Sequence, residues 1–409
     1  MKIAVIGAGA AGLVAIKYCV QEGYECEAFE QTEFVGGTWN YTDEVGLDKN
    51  GLPVHTSMYK NLRTNLPKEV MMFENFPYRE DIEESYITQS QVLEYLNDYA
   101  DKLKLRNHIR HLKLVTHIEP VESNKWDIDI QDVKTKYTEK KRFDAVIVCN
   151  GKYGVPYIPK ILGLETFPGS CIHSHDYRSE DPYKDKVVLV IGGGPSGIDI
   201  AHRLYQVAKK VFCSFKEIGF RFNFPAGLIR KPLVERINGN TVFFQDESKE
   251  EIDAILLCTG FNISYPFLST KCGIVVEDNY VKNVYKEVIN ISYPTMAILG
   301  IPSAICPFPT AEIQMRFFLA ALSGRFILPP KEEMRKDNDE FKIKMNVMNR
   351  FVHRKTGNKE REYFDDLAQT ANVPSVPIVV TELHDRVKKN RNYGDCFRII
   401  DDKHFIQIA

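Results

Sequence analysis

The sequence predicts an α/β chain made of two parallel-sheet units, one inserted into the other. Three observations predict it. Two glycine-rich turns share one spacing, at Gly7–Gly12 and Gly192–Gly197. Each turn follows an apolar, β-branched run and opens a stretch of helical character. Each half then closes on a near-repeat, Phe143–Cys149 (FDAVIVC) and Ile252–Cys258 (IDAILLC). The length of 409 residues allows two to three domains at ~150 residues each.

In order, Lys2–Ile6 reads as a strand, Gly7–Gly12 as a turn, Leu13–Glu22 as a helix and Cys26–Glu30 as the next strand. Phe143–Cys149 runs into Asn150-Gly151 and ends the first half. Asp181-Pro182-Tyr183-Lys184 has the composition of a linker. Lys186–Ile191 (KVVLVI) is continuously apolar, as a parallel strand covered on both faces must be. Gly192–Gly197 turns, Ile198–Ala208 is helical and Val211–Ser214 is extended. Ile252–Cys258 ends the second half, and the chain returns after Pro266. The expected division is 1–181 with 276–409 as one domain and 182–275 as the other. Glu332–Asn358 is charged and reads as a solvated helix.

Composition excludes several function classes. Lys+Arg 53 against Asp+Glu 55 leaves a net charge of -2, so no bulk charge points to nucleic acid or an anionic membrane. Hydrophobic residues at 44% and aromatics at 11% exclude disorder. The nine cysteines contain no CxxC pair, which argues against a zinc ribbon, a dithiol centre or a disulfide scaffold; buried thiols are expected. No metal site is expected. No apolar run reaches ~18 residues, so no transmembrane anchor is expected. The apolar stretch behind Lys2 resembles a signal-peptide core, but its glycines have another use. The chain reads as soluble and cytoplasmic, with secretion open if a leader precedes Met1.

That use is anion binding. In Gly7-x-Gly9-x-x-Gly12 the first glycine makes the turn, the second lets backbone approach a pyrophosphate, and the third packs helix on strand. The pyrophosphate then sits at the positive end of a helix. Gly7, Gly9, Ala10, Ala11 and Gly12 are the candidate contacts. Glu30, 18 residues beyond Gly12, can accept from ribose hydroxyls and would repel a 2′-phosphate. This turn therefore suits FAD or NAD. Gly192, Gly194, Pro195, Ser196 and Gly197 repeat the device. There the next strand ends in Ser214, Phe215 and Lys216, and a hydroxyl with a cation suits the 2′-phosphate of NADP; Arg221 could assist. Chance gives about 0.1 such hexapeptides in a chain with this glycine content. The fold expectation thus becomes two Rossmann-like dinucleotide-binding domains, with FAD and NADPH as cofactors.

Further segments carry a resemblance. Phe167–Tyr177 fits F-x-G-x-x-x-H-x-x-x-[Y/F], with His173 at the histidine. Glu33–Trp39 contains Gly36-Gly37-Thr38-Trp39, and Met58–Glu69 contains Thr64-Asn65. Cys258-Thr259-Gly260-Phe261 and the run Pro309–Arg316, with Glu312 and Gln314, follow. Together these resemble the flavin-containing monooxygenases over nearly the whole chain. HSHDYR and MYKNLRTNLPKEVM are similar to insect members, among them those that N-oxygenate pyrrolizidine alkaloids. Cys258 and Phe261 depart from the family's Ala-Thr-Gly-Tyr.

The resemblance implies an NADPH-dependent monooxygenase that uses O2 as co-substrate. Oxygen would pass from a C4a-hydroperoxyflavin to a nucleophilic nitrogen or sulfur, foremost a tertiary amine in alkaloid detoxification. Such an adduct needs a dry site and directed hydrogen bonds. Asn65, a neutral amide, matches the family's catalytic position. Gly37, Thr38, Trp39, Thr64, Asn65 and Gln314 would contact FAD. A small-molecule amine or sulfide is the expected partner, and a homo-oligomer is expected from the family. Alternatives remain open. Baeyer–Villiger enzymes end the His motif in Trp-Pro, whereas here it ends Tyr177-Arg178; an N-hydroxylating enzyme lacks that motif; a non-catalytic flavin-binding redox sensor would need a broken second turn. By residue type alone Asn65 could cap a turn, His173 could be a satisfied structural histidine, and Lys216 could be solvated. The Phe167–Tyr177 segment reads as a bridge between the domains. Phe222, Phe224 and Phe243 line either an access path or a core.

Overall fold

A computed structural model describes residues 1–216, 227–344, 360–389 and 392–408. The chain divides into two compact units. The first contains residues 1–40, 63–152 and 263–409; the second contains 41–62 and 153–262.

The first unit is built on a seven-stranded sheet. Its strands lie in the order Val284–Tyr285, Ile289–Asn290, Met296–Ile298, Ala145–Val148, Lys2–Ile6, Glu25–Phe29, Ile109–Arg110. Lys2–Ile6 pairs in parallel with both neighbours, and only the Val284–Asn290 edge is antiparallel. Alternation along the central strand fills two cores. Ile3 and Val5 face one that includes residues of helices Ala10–Gln21, Gln89–Lys102, Pro307–Leu322, Glu360–Ala371 and Ile378–Lys389. Ala4 and Ile6 face the other, where Trp126, Ile128 and Ile130 of a three-stranded antiparallel sheet pack. Burial on both faces is why the strand reads as an uninterrupted apolar run.

The second unit repeats the plan in smaller form. Five parallel strands lie in the order Ile229–Lys231, Lys210–Ser214, Val187–Ile191, Ala254–Leu257, Ser170–His173. Val188 and Val190 pack with Ile200, Ala201 and Leu204 of helix Pro195–Leu204. Leu189 and Ile191 pack with Ile237, Val242 and Phe244 of a three-stranded antiparallel sheet. Both units are thus three-layered.

The units divide at 152/153 and 262/263 rather than at the expected 181/182 and 275/276. Asp181–Tyr183 is a short 3-10 turn, not a linker, because Tyr183 is buried in the second unit's core. Phe167–Tyr177 lies wholly within the second unit and supplies its edge strand. Residues 41–62 join the same unit. Arg178 holds them there by donating to the carbonyls of Glu44, Thr56 and Met58, and Tyr59 packs edge-on against Tyr177 at 5.2 Å. Both turn-linked helices start three residues earlier than expected, at Ala10 and Pro195, since Gly9 and Gly194 are their N-caps. Seven of the nine cysteines are buried and none is in a disulfide. Among the described residues no helix is long and apolar enough to cross a membrane.

Candidate functional site

In the first unit the turn is shaped for close approach. Gly7 has φ +101, and a Cβ there would lie 2.7 Å from the Cys149 carbonyl oxygen. A Cβ on Gly12 would lie 2.0 Å from the Gly7 carbonyl oxygen, so helix and strand touch through backbone alone. Gly9 faces a second glycine: a Cβ on Gly37 would sit 3.0 Å from the Gly9 Cα. No side chain caps helix Ala10–Gln21, and its first turn carries no acid. The N–H groups at Ala10, Ala11 and Gly12 therefore form an open positive end. Thr38 and half-buried Trp39 follow Gly37 on a single 3-10 turn, and Trp39 packs on the core.

Glu30 ties this loop together. Oε2 accepts from the Ala8 N–H at 2.9 Å, and Oε1 accepts from the Thr32 N–H and hydroxyl, both at 2.9 Å. The carboxylate is 6% exposed and keeps lone pairs for a further donor.

Thr64 and Asn65 sit side by side but differ. Thr64 is buried; its N–H donates to the Ile87 carbonyl at 2.8 Å and its hydroxyl oxygen accepts from the Ile87 N–H at 3.2 Å. Asn65 is exposed, and its side chain meets no hydrogen-bond partner among the described residues. Thr64 is thus the anchor and Asn65 the presented amide. Gln314 has an internal task instead. It is fully buried; Oε1 accepts from the Gly300 N–H at 3.0 Å and Nε2 donates to the Tyr363 hydroxyl at 2.8 Å. Glu312 on the same helix accepts from the Glu74 N–H at 2.8 Å, and burial raises its pKa. At the start of that helix Glu360 accepts from the Cys306 N–H at 2.6 Å and pairs with His384.

In the second unit Gly192 has φ +120, and a Cβ there would lie 2.1 Å from the Cys258 carbonyl oxygen. A Cβ on Gly197 would lie 2.0 Å from the Gly192 carbonyl oxygen. Around Gly194 the space is open. Pro195 is exposed at the start of helix Pro195–Leu204, Ser196 is half-buried, and no side-chain cap or first-turn acid blocks the helix end. Ser214 departs from expectation. It is fully buried, and its hydroxyl donates to the Pro232 carbonyl at 2.7 Å, which makes it a strut between strand and loop. Lys216 is exposed and makes no bond to another described residue. Arg221, with Phe222 and Phe224, lies outside the described residues. A residue that pattern reading passed over is Arg230, whose guanidinium stacks over Phe215 at 5.1 Å. Its strand pairs with Lys210–Ser214, so a second cation lies against Phe215, the residue before Lys216. No sequence signal marks it, because it lies 14 residues beyond Lys216 in the chain.

His173 is structural. Nε2–H donates to the Gly260 carbonyl at 2.9 Å, and Nδ1 accepts from the His175 N–H at 3.0 Å. Burial pulls its pKa down to about 4, so the ring is neutral at physiological pH. Thr259 donates to the Tyr157 carbonyl at 2.5 Å. The Cys258–Phe261 segment thereby closes the carboxyl edge of the sheet.

The model of the family described as flavin-binding monooxygenase-like matches residues 1–223 and 225–397. Senecionine N-oxygenase from Tyria jacobaeae is 32% identical over 99% of this chain and 91% of its own length. Flavin-containing monooxygenase FMO GS-OX-like 4 from Arabidopsis thaliana is 37% identical over 81% of this chain and 78% of its own. Among solved structures, S-allyl-L-cysteine S-oxygenase from Allium sativum superposes with a TM-score of 0.87 at 32% identity, covering 95% of this chain and 92% of that one.

Proposed function

The chain belongs to the flavin-binding monooxygenase-like family, and on that premise we propose that it oxygenates the nitrogen of a tertiary amine of the pyrrolizidine-alkaloid kind. It is an FAD- and NADPH-dependent monooxygenase acting on a small nucleophilic molecule. When bound, FAD takes two electrons from NADPH and delivers one atom of O2 to the substrate, the other leaving as water. The protein's part is to hold, orient and exclude water.

The observation that carries the reading is the pair of open helix ends with unlike surroundings. At the first, Ala10, Ala11 and Gly12 offer N–H groups to the FAD pyrophosphate, the facing glycines Gly9 and Gly37 leave room for it, and Glu30 offers its remaining lone pairs to ribose. At the second, Gly192, Gly194 and Gly197 take the NADPH pyrophosphate. Lys216 and Arg230 supply the positive charge that a 2′-phosphate requires. Thr64 fixes the backbone that presents Asn65, and a neutral amide donates a hydrogen bond to oxygen without giving up a proton. Gln314 acts at one remove, by holding its helix to Gly300 and Tyr363.

The N-oxygenase relative, matched over 99% of this chain, supports nitrogen as the acceptor. A ketone substrate is disfavoured by Arg178, which stands where the Baeyer–Villiger motif has proline and uses its N–H groups on five carbonyls. The experiment is product analysis of the purified, FAD-loaded protein with NADPH, oxygenated buffer and one substrate at a time. An N-oxide from a tertiary amine at the highest kcat/KM is the expected product. Sulfoxide alone, or a lactone from a cyclic ketone, overturns the proposal.

A further inference from the structure

The segment after the edge strand Ser170–His173 is fixed at nearly every atom of one residue. His175 is 6% exposed. Its N–H donates to His173, its carbonyl accepts from Arg178 at 2.8 Å, and its ring lies edge-on to Phe261 at 6.2 Å. Nδ1–H donates to Asp176 Oδ1 at 2.7 Å, which in the neutral ring leaves Nε2 with a lone pair. That Nε2 is buried and meets no hydrogen-bond partner among the described residues. Buried polar atoms are almost always satisfied, so an oriented acceptor without a donor calls for a ligand.

Topology says which ligand group. In a parallel sheet of this kind the nucleotide lies across the carboxyl edge. The adenosine end goes to the strand after the glycine turn's helix, here Lys210–Ser214, and the pyrophosphate goes to Gly192–Gly197. The rest of the molecule must then extend the other way, over Ala254–Leu257 and Ser170–His173. His175 follows the last of these strands by two residues, at the same carboxyl edge.

We propose that His175 is an NADP(H)-binding group whose Nε2 accepts a hydrogen bond from the nicotinamide–ribose half of the nucleotide. His173 and Asp176 are its positioning residues. The inference rests on the reading of the second unit as the NADP(H) site. It gives the His motif a task in this chain: His173 does not touch the nucleotide but sets the backbone of the residue that does.

The test is isothermal titration calorimetry on the FAD-loaded protein, with NADP+ and with adenosine 2′,5′-bisphosphate, which lacks the nicotinamide half. His175→Phe keeps the ring's bulk and removes the nitrogens. It should weaken NADP+ about tenfold and leave the bisphosphate unchanged. His175→Gln, which restores an acceptor oxygen, should recover part of the loss. An unchanged NADP+ Kd overturns the inference, and so does equal weakening of both ligands, which would mean a structural role. If the wild-type protein binds neither ligand, the NADP(H) reading itself falls, and the inference with it.

Discussion

The two glycine turns are the same backbone device in different electrostatic settings. In both, a Cβ on the third glycine would lie 2.0 Å from the carbonyl oxygen of the first. In both, an uncapped helix follows. They part at the end of the next strand. The first turn is locked by an acid, Glu30, bonded to Ala8 and Thr32. The second has no acid there and ends among Phe215, Lys216 and Arg230. On the proposed reading, geometry suits each unit to a pyrophosphate and charge distinguishes the nucleotides. At the first turn Gly9 also faces Gly37 at close range, whereas no described residue stands opposite Gly194.

The largest effects test what the turns share. Gly12→Val and Gly197→Val each drive a side chain into a backbone carbonyl that cannot move aside. Each should abolish soluble, yellow protein, as read by the flavin-to-protein absorbance ratio after purification. Gly194→Ala meets nothing among the described residues and should keep a wild-type melting temperature while weakening NADP+. Equal damage from Gly194→Ala and Gly197→Val would dissolve the distinction between a packing glycine and a ligand glycine.

Next comes a feature the second unit lacks. The exposed Asn65 side chain holds no other described residue in place, so losing it should leave the packing of both glycine turns intact. Asn65→Ala should retain FAD and oxidise NADPH, but release most of its oxygen as hydrogen peroxide, with product per NADPH falling tenfold or more, the range of a lost oriented donor. Undiminished product yield would return Asn65 to the role of an exposed turn residue.

Much of this was legible in the sequence, for a physical reason. Turn, strand and close-packing glycine are local, and apolar alternation reports burial directly, so Lys2–Ile6 and Val187–Ile191 stand where the pattern puts them. What escaped was non-local and polar. Ser214 and Gln314 look like ligand donors by type, yet their partners lie 18 and 14 residues off and no pattern announces them. Segment 41–62 joins the second unit through Arg178 bonds to carbonyls, which every residue possesses. Asp181-Pro182 suggested a linker because its composition hides the burial of Tyr183.

A smaller effect separates the units by pH. His173, in the second unit alone, is held neutral with a pKa near 4 against an ordinary 6.5. Above pH 6.5 neither folded nor unfolded chain binds the proton, and stability is complete. As pH falls from 6.5 towards 4, only the unfolded chain binds it, so stability declines. The second unit's melting transition should therefore drop over that window, and His173→Asn should flatten this part of the profile. A profile identical in the variant would assign the acid sensitivity elsewhere.

The smallest expected effect bears most directly on the comparison. Lys216 is exposed, so its attraction for a 2′-phosphate is screened by water and salt and is worth about 1 kcal/mol, or roughly fivefold in binding. Lys216→Ala should raise the KM for NADPH about that much and leave the KM for NADH unchanged. Arg230 is stacked over Phe215 and less free to move, so Arg230→Ala should shift the same ratio further. If neither changes the ratio, the positive charge at this strand end is ordinary surface, and the unlike electrostatics of the two turns no longer explain why one would take FAD and the other NADPH. If both change it and Glu30→Gln leaves NADPH kinetics untouched, the division of labour follows from the residues at the end of the strand after each turn.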